Sequence, residues 1–396
     1  MRDLLPQLLD WWRADERVAV ATVVRTFRSA PREPGAAMAV GPGGEVIGSV
    51  SGGCVEGTVY DLCLEVAETG RPVLARYGVS DESAFAVGLT CGGTIEVFVA
   101  PLSRAAWPDF ESFAQQVLGT GPTLPDGGPR ASGVCLATVI ATDVGAEAGA
   151  DAVAGADADV GPLGRHLTVR APQHPAATDP LLAAVAADAV GQIAAGASAV
   201  REYGPRGERT GTGTRVFLQV FAPRPRLLVF GAIDFAGAMA RAGRLLGYRV
   251  TVCDARPIFA TSARFPQADD VVVDWPHRYL AAEIEAGRVT EQDAVCVLTH
   301  DPKFDVPLLR TALTELPPGT YVGAMGSRRA HAEREARLIE DGVPPEALTR
   351  LRSPIGLDLG ARTPDETAVS IAAEMIAARS GASARPLRET DGPIHG

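Results

Sequence analysis

The chain has 396 residues, of which 46% are apolar and 6% aromatic, and its 37 Lys and Arg face 48 Asp and Glu for a net charge of −11. That length predicts two or three domains with aliphatic cores, and the acidic balance speaks against nucleic-acid binding or adhesion to anionic lipid. With no leader-like apolar core near Met1 and no apolar run of about 18 residues, a cytoplasmic protein without membrane insertion is expected.

In chain order, Leu4, Leu5, Leu8, Leu9 and Trp12 recur at helical spacing and predict a short amphipathic helix. Residues 18–24 form a strand-like run that gives way to a loop over 25–35, stiffened by Pro31, Pro34 and Gly35. Two further strands, 38–40 and 46–50, lead into Gly48-Ser49-Val50-Ser51-Gly52-Gly53-Cys54-Val55-Glu56-Gly57. A helix is predicted from Thr58 to Glu68, with Gly70 as its C-cap. A turn-rich segment then reaches Gly88-Leu89-Thr90-Cys91-Gly92-Gly93 and a strand over 94–99.

This order returns once in weaker form. Ala21-Thr22-Val23-Val24 is echoed by Ala137-Thr138-Val139-Ile140, and the stretch from Gly70 to Gly78 by Gly196 to Gly204. Phe98-Val99-Ala100-Pro101 is echoed by Phe221-Ala222-Pro223. The N-terminal region is therefore read as two related α+β units, a cysteine-bearing one over 1–125 and a second over 131–223 that has no counterpart of Gly-Gly-Cys or Cys-Gly-Gly. Residues 144–161, almost wholly Ala, Gly, Asp, Glu and Val, predict a mobile insertion.

From Arg226 short apolar runs at 227–230, 249–254, 271–274, 294–299 and 321–324 alternate with helical patterns. That alternation predicts an α/β, Rossmann-like domain over 224–380 with a parallel sheet. Thr363-Pro364-Asp365-Glu366 carries the N-cap, N1 proline and capping-box glutamate of a last helix. A frayed tail is expected over 381–396.

Three places carry chemistry. In the first, Gly52 and Gly53 lead into Cys54 just before a helix, a turn in which backbone N–H groups converge and the helix dipole favours a nucleophilic thiol or a ligand for a soft metal. Cys91 repeats the glycine–cysteine association in reverse. The two thiols are candidates for ligating a soft metal, carrying a persulfide or forming a redox couple, and spacing does not choose. The other four cysteines, 63, 135, 253 and 296, sit in apolar runs and are assigned to the core; no C-x-x-C pair or zinc-type spacing occurs.

The second place is the first βα turn of the Rossmann-like domain. Gly231 ends a strand and Asp254 follows about 20 residues later, where a ribose hydroxyl is held in dinucleotide-binding folds. Ile233, however, stands where the second glycine of G-x-G belongs, so NAD(P) binding is not expected. In the third, Gly326, Ser327 and Arg328 open a helix after a strand and offer an anion seat. The loop around His300 is left between a capping and a ligand-binding role.

Taken together, Ser29-Ala30-Pro31-Arg32, the Gly48–Gly57 run, Thr90-Cys91-Gly92-Gly93, Gly326-Ser327-Arg328-Arg329 and Ser353-Pro354-Ile355-Gly356-Leu357-Asp358 make the chain resemble the xanthine dehydrogenase accessory (XdhC/CoxI) family over nearly its whole length. The resemblance implies a maturation factor rather than a metabolic enzyme. Such a factor binds molybdenum cofactor (molybdopterin) as transient cargo, assists its sulfuration by a cysteine desulfurase and delivers it to a xanthine or carbon-monoxide dehydrogenase. It implies that Gly52, Gly53, Cys54, Cys91 and Arg32 contact the cargo, with Cys54 and Cys91 on the metal side. It leaves the assembly open, a homodimer included. One departure is Gly231-Ala232-Ile233-Asp234, where many members carry Gly-Ala-Gly-His. The rival reading is a nucleotide-dependent oxidoreductase using a Cys54–Cys91 thiol pair.

Overall fold

A computed structural model describes residues 1–27, 32–78, 93–119, 133–142, 163–170, 179–211 and 213–391. They divide into two units, Met1–Pro223 and Arg224–Gly396.

The first unit opens with α1 (Leu5–Arg13), β1 (Val18–Phe27), β2 (Ala37–Val40), β3 (Val46–Gly48), α2 (Glu56–Thr69), β4 (Val73–Gly78), β5 (Thr94–Leu102) and α3 (Phe110–Leu118). The strands form an antiparallel sheet in the order β3-β2-β1-β5-β4. It continues with β6 (Val134–Thr142), β7 (His166–Arg170), α4 (Pro180–Ala195), β8 (Ala199–Tyr203) and β9 (Thr214–Phe221), whose sheet order β7-β6-β9-β8 has the same plan as β2-β1-β5-β4. A bulge interrupts both sheets at the matching place, between Val23 and Arg25 in β1 and between Val139 and Ala141 in β6.

β1 and β6 are mostly apolar, and buried over their first seven residues, because both of their faces are covered. Ala19, Ala21 and Val23 pack with Val59, Cys63 and Val66 of α2. On the opposite face, Val18 and Val20 meet α1 and α3, and Val24 and Phe98 meet Ile140 and Phe217 of the second sheet. β6 mirrors this, with Cys135, Ala137 and Val139 against Val185, Ala186 and Ala189 of α4. The layers thus run helix, sheet, sheet, helix. Helix α3 is an addition to the expected elements, although Phe110, Phe113, Ala114 and Val117 hold the i, i+3, i+4, i+7 stripe that buries it.

The second unit contains β10 (Arg226–Phe230), α5 (Asp234–Leu245), β11 (Arg249–Asp254), β12 (Asp270–Val273), α6 (Pro276–Glu285), β13 (Ala294–Val297), α7 (Pro302–Glu315), β14 (Tyr321–Ala324), α8 (Arg328–Glu340), α9 (Pro345–Leu348), β15 (Leu351–Arg352) and α10 (Pro364–Ser380). All six strands are parallel, in the order β12-β11-β10-β13-β14-β15. This is the doubly wound order, with its switch point between β10 and β13. One face of the sheet buries α5 and α10, and the other buries α6, α7 and α8. The Thr363–Glu366 capping box opens α10 as its sequence requires. α10 ends at Ser380, and a short 3-10 turn follows at Leu387–Glu389. The predicted insertion over 144–161 lies outside the described residues.

Candidate functional site

One end of the first sheet collects the sequence motifs. Phe27 at the end of β1 faces Thr94 at the start of β5, which faces Gly78 at the end of β4. β3 is antiparallel to β2, as β1 is, so β3 runs the same way as β1 and releases the Cys54 turn at that end. Arg32, exposed, follows β1 on the way into β2. Cys91 and Ser29-Ala30-Pro31 lie outside the described residues.

The turn itself is built around Glu56. β3 stops at Gly48, short of the expected Val50, where φ is +77° and an added Cβ would collide with the carbonyl oxygen of Ala37. Gly52 and Gly53 also have positive φ, +77° and +123°, with nothing within 4 Å of an added Cβ. They are needed for conformation and not for space. Helix α2 starts at Glu56, two residues before the expected Thr58, and this side chain folds back over the turn. Its carboxylate accepts from Ser49 Oγ (2.7 Å), Ser51 Oγ (2.5 Å), Ser51 N (2.9 Å) and Gly53 N (2.8 Å). Burial opposes its ionisation, but the serine hydroxyls and the two amides outweigh burial and bring the carboxyl down to about 2.

This corrects the expectation of open, convergent N–H groups. Gly52 N donates to Ser49 Oγ, and Cys54 N and Val55 N both donate to Ser51 Oγ. The amides therefore serve the turn, which holds Cys54 half-buried beside the α2 core while Val55 is fully inside it. The other described cysteines are buried, and burial pushes the thiols of Cys63, Cys135 and Cys253 up to about 12 and that of Cys296 up as well. Those four are core residues with little thiolate character.

At the carboxyl ends of the parallel strands, the first βα turn is closed by the protein's own groups. Gly231, at φ +114°, leaves an added Cβ 3.0 Å from the backbone nitrogen of Thr299. Asp254 is 2% exposed and accepts from Ala232 N (2.7 Å), Arg256 N (2.9 Å), Arg256 Nε (2.9 Å) and Arg256 Nη2 (2.8 Å). Burial raises its carboxyl, and the bonds from Arg256 and Ala232 lower it further than burial lifts it. Arg264 Nη1 donates to the carbonyls of Ala232 and Phe259, both at 3.1 Å. Asp254 thus spends its acceptors inside the protein, and Ile233 stands at the turn.

Further along that edge, Gly326 (φ +157°) precedes Ser327, whose Oγ accepts from Ala330 N (3.1 Å) as the N-cap of α8, with Arg328 exposed at the first helical position. His300, also exposed, lines a cleft of about 240 Å³ with Asp305, Arg334 and Arg337. Arg334, which reads in the sequence as an ordinary solvated helical charge, is 6% exposed. It donates to Ser353 Oγ (3.0 Å), the Met325 carbonyl (2.8 Å) and Asp305 (3.3 Å). Burial raises the Asp305 carboxyl, while Thr299 and Arg334 pull it back.

The XdhC and CoxI family model matches residues 11–78, and the XdhC Rossmann domain model matches residues 227–375. A probable xanthine dehydrogenase subunit from Bacillus subtilis is 27% identical over 375 residues, 94% of this chain and 96% of that one. The molybdenum cofactor insertion chaperone PaoD of Escherichia coli is 25% identical over 361 residues, 91% of this chain and 83% of its own. Among solved structures, a crystal structure of a xanthine dehydrogenase from Bacillus halodurans matches with a TM-score of 0.64 at 22% identity, covering 98% of this chain and 97% of that one. Likeness at that level shows the shared fold.

Proposed function

The chain belongs to the XdhC and CoxI family, and from that premise we propose that it carries molybdenum cofactor as transient cargo to a molybdoenzyme client. The name of the Escherichia coli relative supports cofactor insertion, and that of the Bacillus subtilis relative supports a xanthine dehydrogenase type of client. The observation that carries the reading is the Cys54 turn, a half-buried thiol held by a loop whose amides bond to Ser49, Ser51 and Glu56 at the end of the first sheet. Among the described residues no group of three or more His, Cys, Asp or Glu could hold a metal ion. A metal already chelated by its own dithiolene needs few protein ligands.

In this reading Cys54, with Cys91, faces the metal side of the cargo, Gly52 and Gly53 shape the turn that presents Cys54 to it, and Arg32 adds charge at the same end. Gly326, Ser327 and Arg328 give the second unit an anion seat. Sulfuration by a cysteine desulfurase, a cytoplasmic setting and a homodimer complete the proposal; among the described residues no helix is long and apolar enough to cross a membrane. The test is co-purification from cells that make the cofactor and from cells that cannot. Molybdenum and pterin should accompany the protein at near-stoichiometric levels only in the first case. Their absence from both preparations contradicts the proposal.

A further inference from the structure

We infer that the cleft between the two sheets of the first unit, at the end where the Cys54 turn emerges, binds the phosphate or pyrophosphate group of a small phosphorylated ligand. The cleft is about 310 Å³, and Arg25, Thr26, Ser198, Arg201, Glu202 and Arg215 line it. The bulge in β1 creates it. Before the bulge, odd-numbered residues such as Ala21 and Val23 face α2; after it, Arg25 lies opposite Glu96, which faces the second sheet and pairs with Arg215 at 2.7 Å. A bulge that re-aims one side chain next to a site is a recurrent device.

Charge decides what such a cleft takes. Glu96 is 9% exposed and has Arg25 and Arg76 as its cross-strand neighbours in addition to its ion-pair partner Arg215. Arg25 and Arg76 pair with no carboxylate among the described residues; both guanidinium groups stand over the Phe27 ring, at 4.7 and 5.5 Å from its centroid. Among the described residues, Arg25, Arg76 and Arg215 thus face Glu96 and Glu202, in a chain whose net charge is −11. Stacking on Phe27 fixes the planes of two arginines while leaving their N–H forks for an anion. The second sheet has no such excess, since Ala141 and Glu202 flank Arg215 where Arg25 and Arg76 flank Glu96.

The inference rests on the reading above only in supplying a phosphorylated cargo, and its test does not need that cargo. Calorimetric titration of the full chain with inorganic pyrophosphate should show saturable binding. The Arg25→Gln, Arg76→Gln double variant, which leaves the Glu96–Arg215 pair intact, should bind about ten-fold more weakly or worse. Arg249→Gln, at an exposed arginine of the other unit that pairs with Asp270, should retain the wild-type affinity. No saturable binding by the wild type, unchanged binding by the double variant, or an equal loss in Arg249→Gln each overturns the inference. If cells load the protein with molybdenum while pyrophosphate binding is absent, this inference fails and the cargo reading stands. The reverse result separates them the other way.

Discussion

At Glu56 four donors converge on one carboxylate, and the glycines that attract the eye in the sequence only allow the backbone to arrive there. Glu56→Gln keeps the shape but turns one acceptor oxygen into a donor, leaving hydroxyl and amide donors of the turn unpaired. The expected loss is on the order of 1–2 kcal/mol, discounted for the carboxylate's partial solvation. The sign of the pH effect follows from the depressed pKa. The wild-type advantage over the variant is full above the ordinary carboxyl value of 4.5 and is lost as pH falls toward about 2. Urea midpoints of both proteins across that window measure it, and a difference that ignores pH rejects the assignment. The Gly-Gly-Cys turn is legible in the sequence because positive φ leaves a trace in composition. The role of Glu56 is not, because a glutamate at a helix start looks the same whether it faces water or four donors.

Among the elements, the first βα turn of the second unit adds contacts that spacing does not carry. An acidic residue stands at the end of the second strand, as dinucleotide-binding folds require, yet Ala232 and Arg256 use it up. Titration with NADH or NADPH, followed by fluorescence, should therefore give no saturable signal; tight saturable binding would revive the oxidoreductase reading. Asp254→Ala should destabilise the protein by about 1–3 kcal/mol, since the Ala232 amide loses its buried acceptor, and chemical unfolding reads this directly. The parallel sheet is legible from its alternating runs because its central strands, β10, β11 and β13, are buried on both faces. Helix α3 carries its apolar stripe in only nine residues, and the Asp109 that precedes it makes no side-chain capping bond.

On the scale of the whole molecule, the weak internal echo in the sequence corresponds to two sheets of the same order that meet through Val24, Phe98, Ile140 and Phe217. The echo is readable from a constant offset between matching segments. The face-to-face packing is not, because nothing in a strand names the sheet it will meet. Phe217→Ala removes one of the two aromatic rings of that contact and should cost about 3–5 kcal/mol. Trp11, Trp12 and Trp107 all lie in the first unit's core and report its unfolding by fluorescence. An unshifted transition would mean that the two sheets do not depend on this contact.

The central claim is that the Cys54 thiol meets the metal side of a molybdenum cargo. Molybdenum K-edge X-ray absorption on protein purified with its cargo tests it most directly, comparing the wild type with Cys54→Ser at matched molybdenum content. The account predicts one fewer sulfur neighbour around molybdenum in the variant, together with weaker retention of the metal during purification. Identical sulfur coordination and identical retention in the two proteins would contradict it.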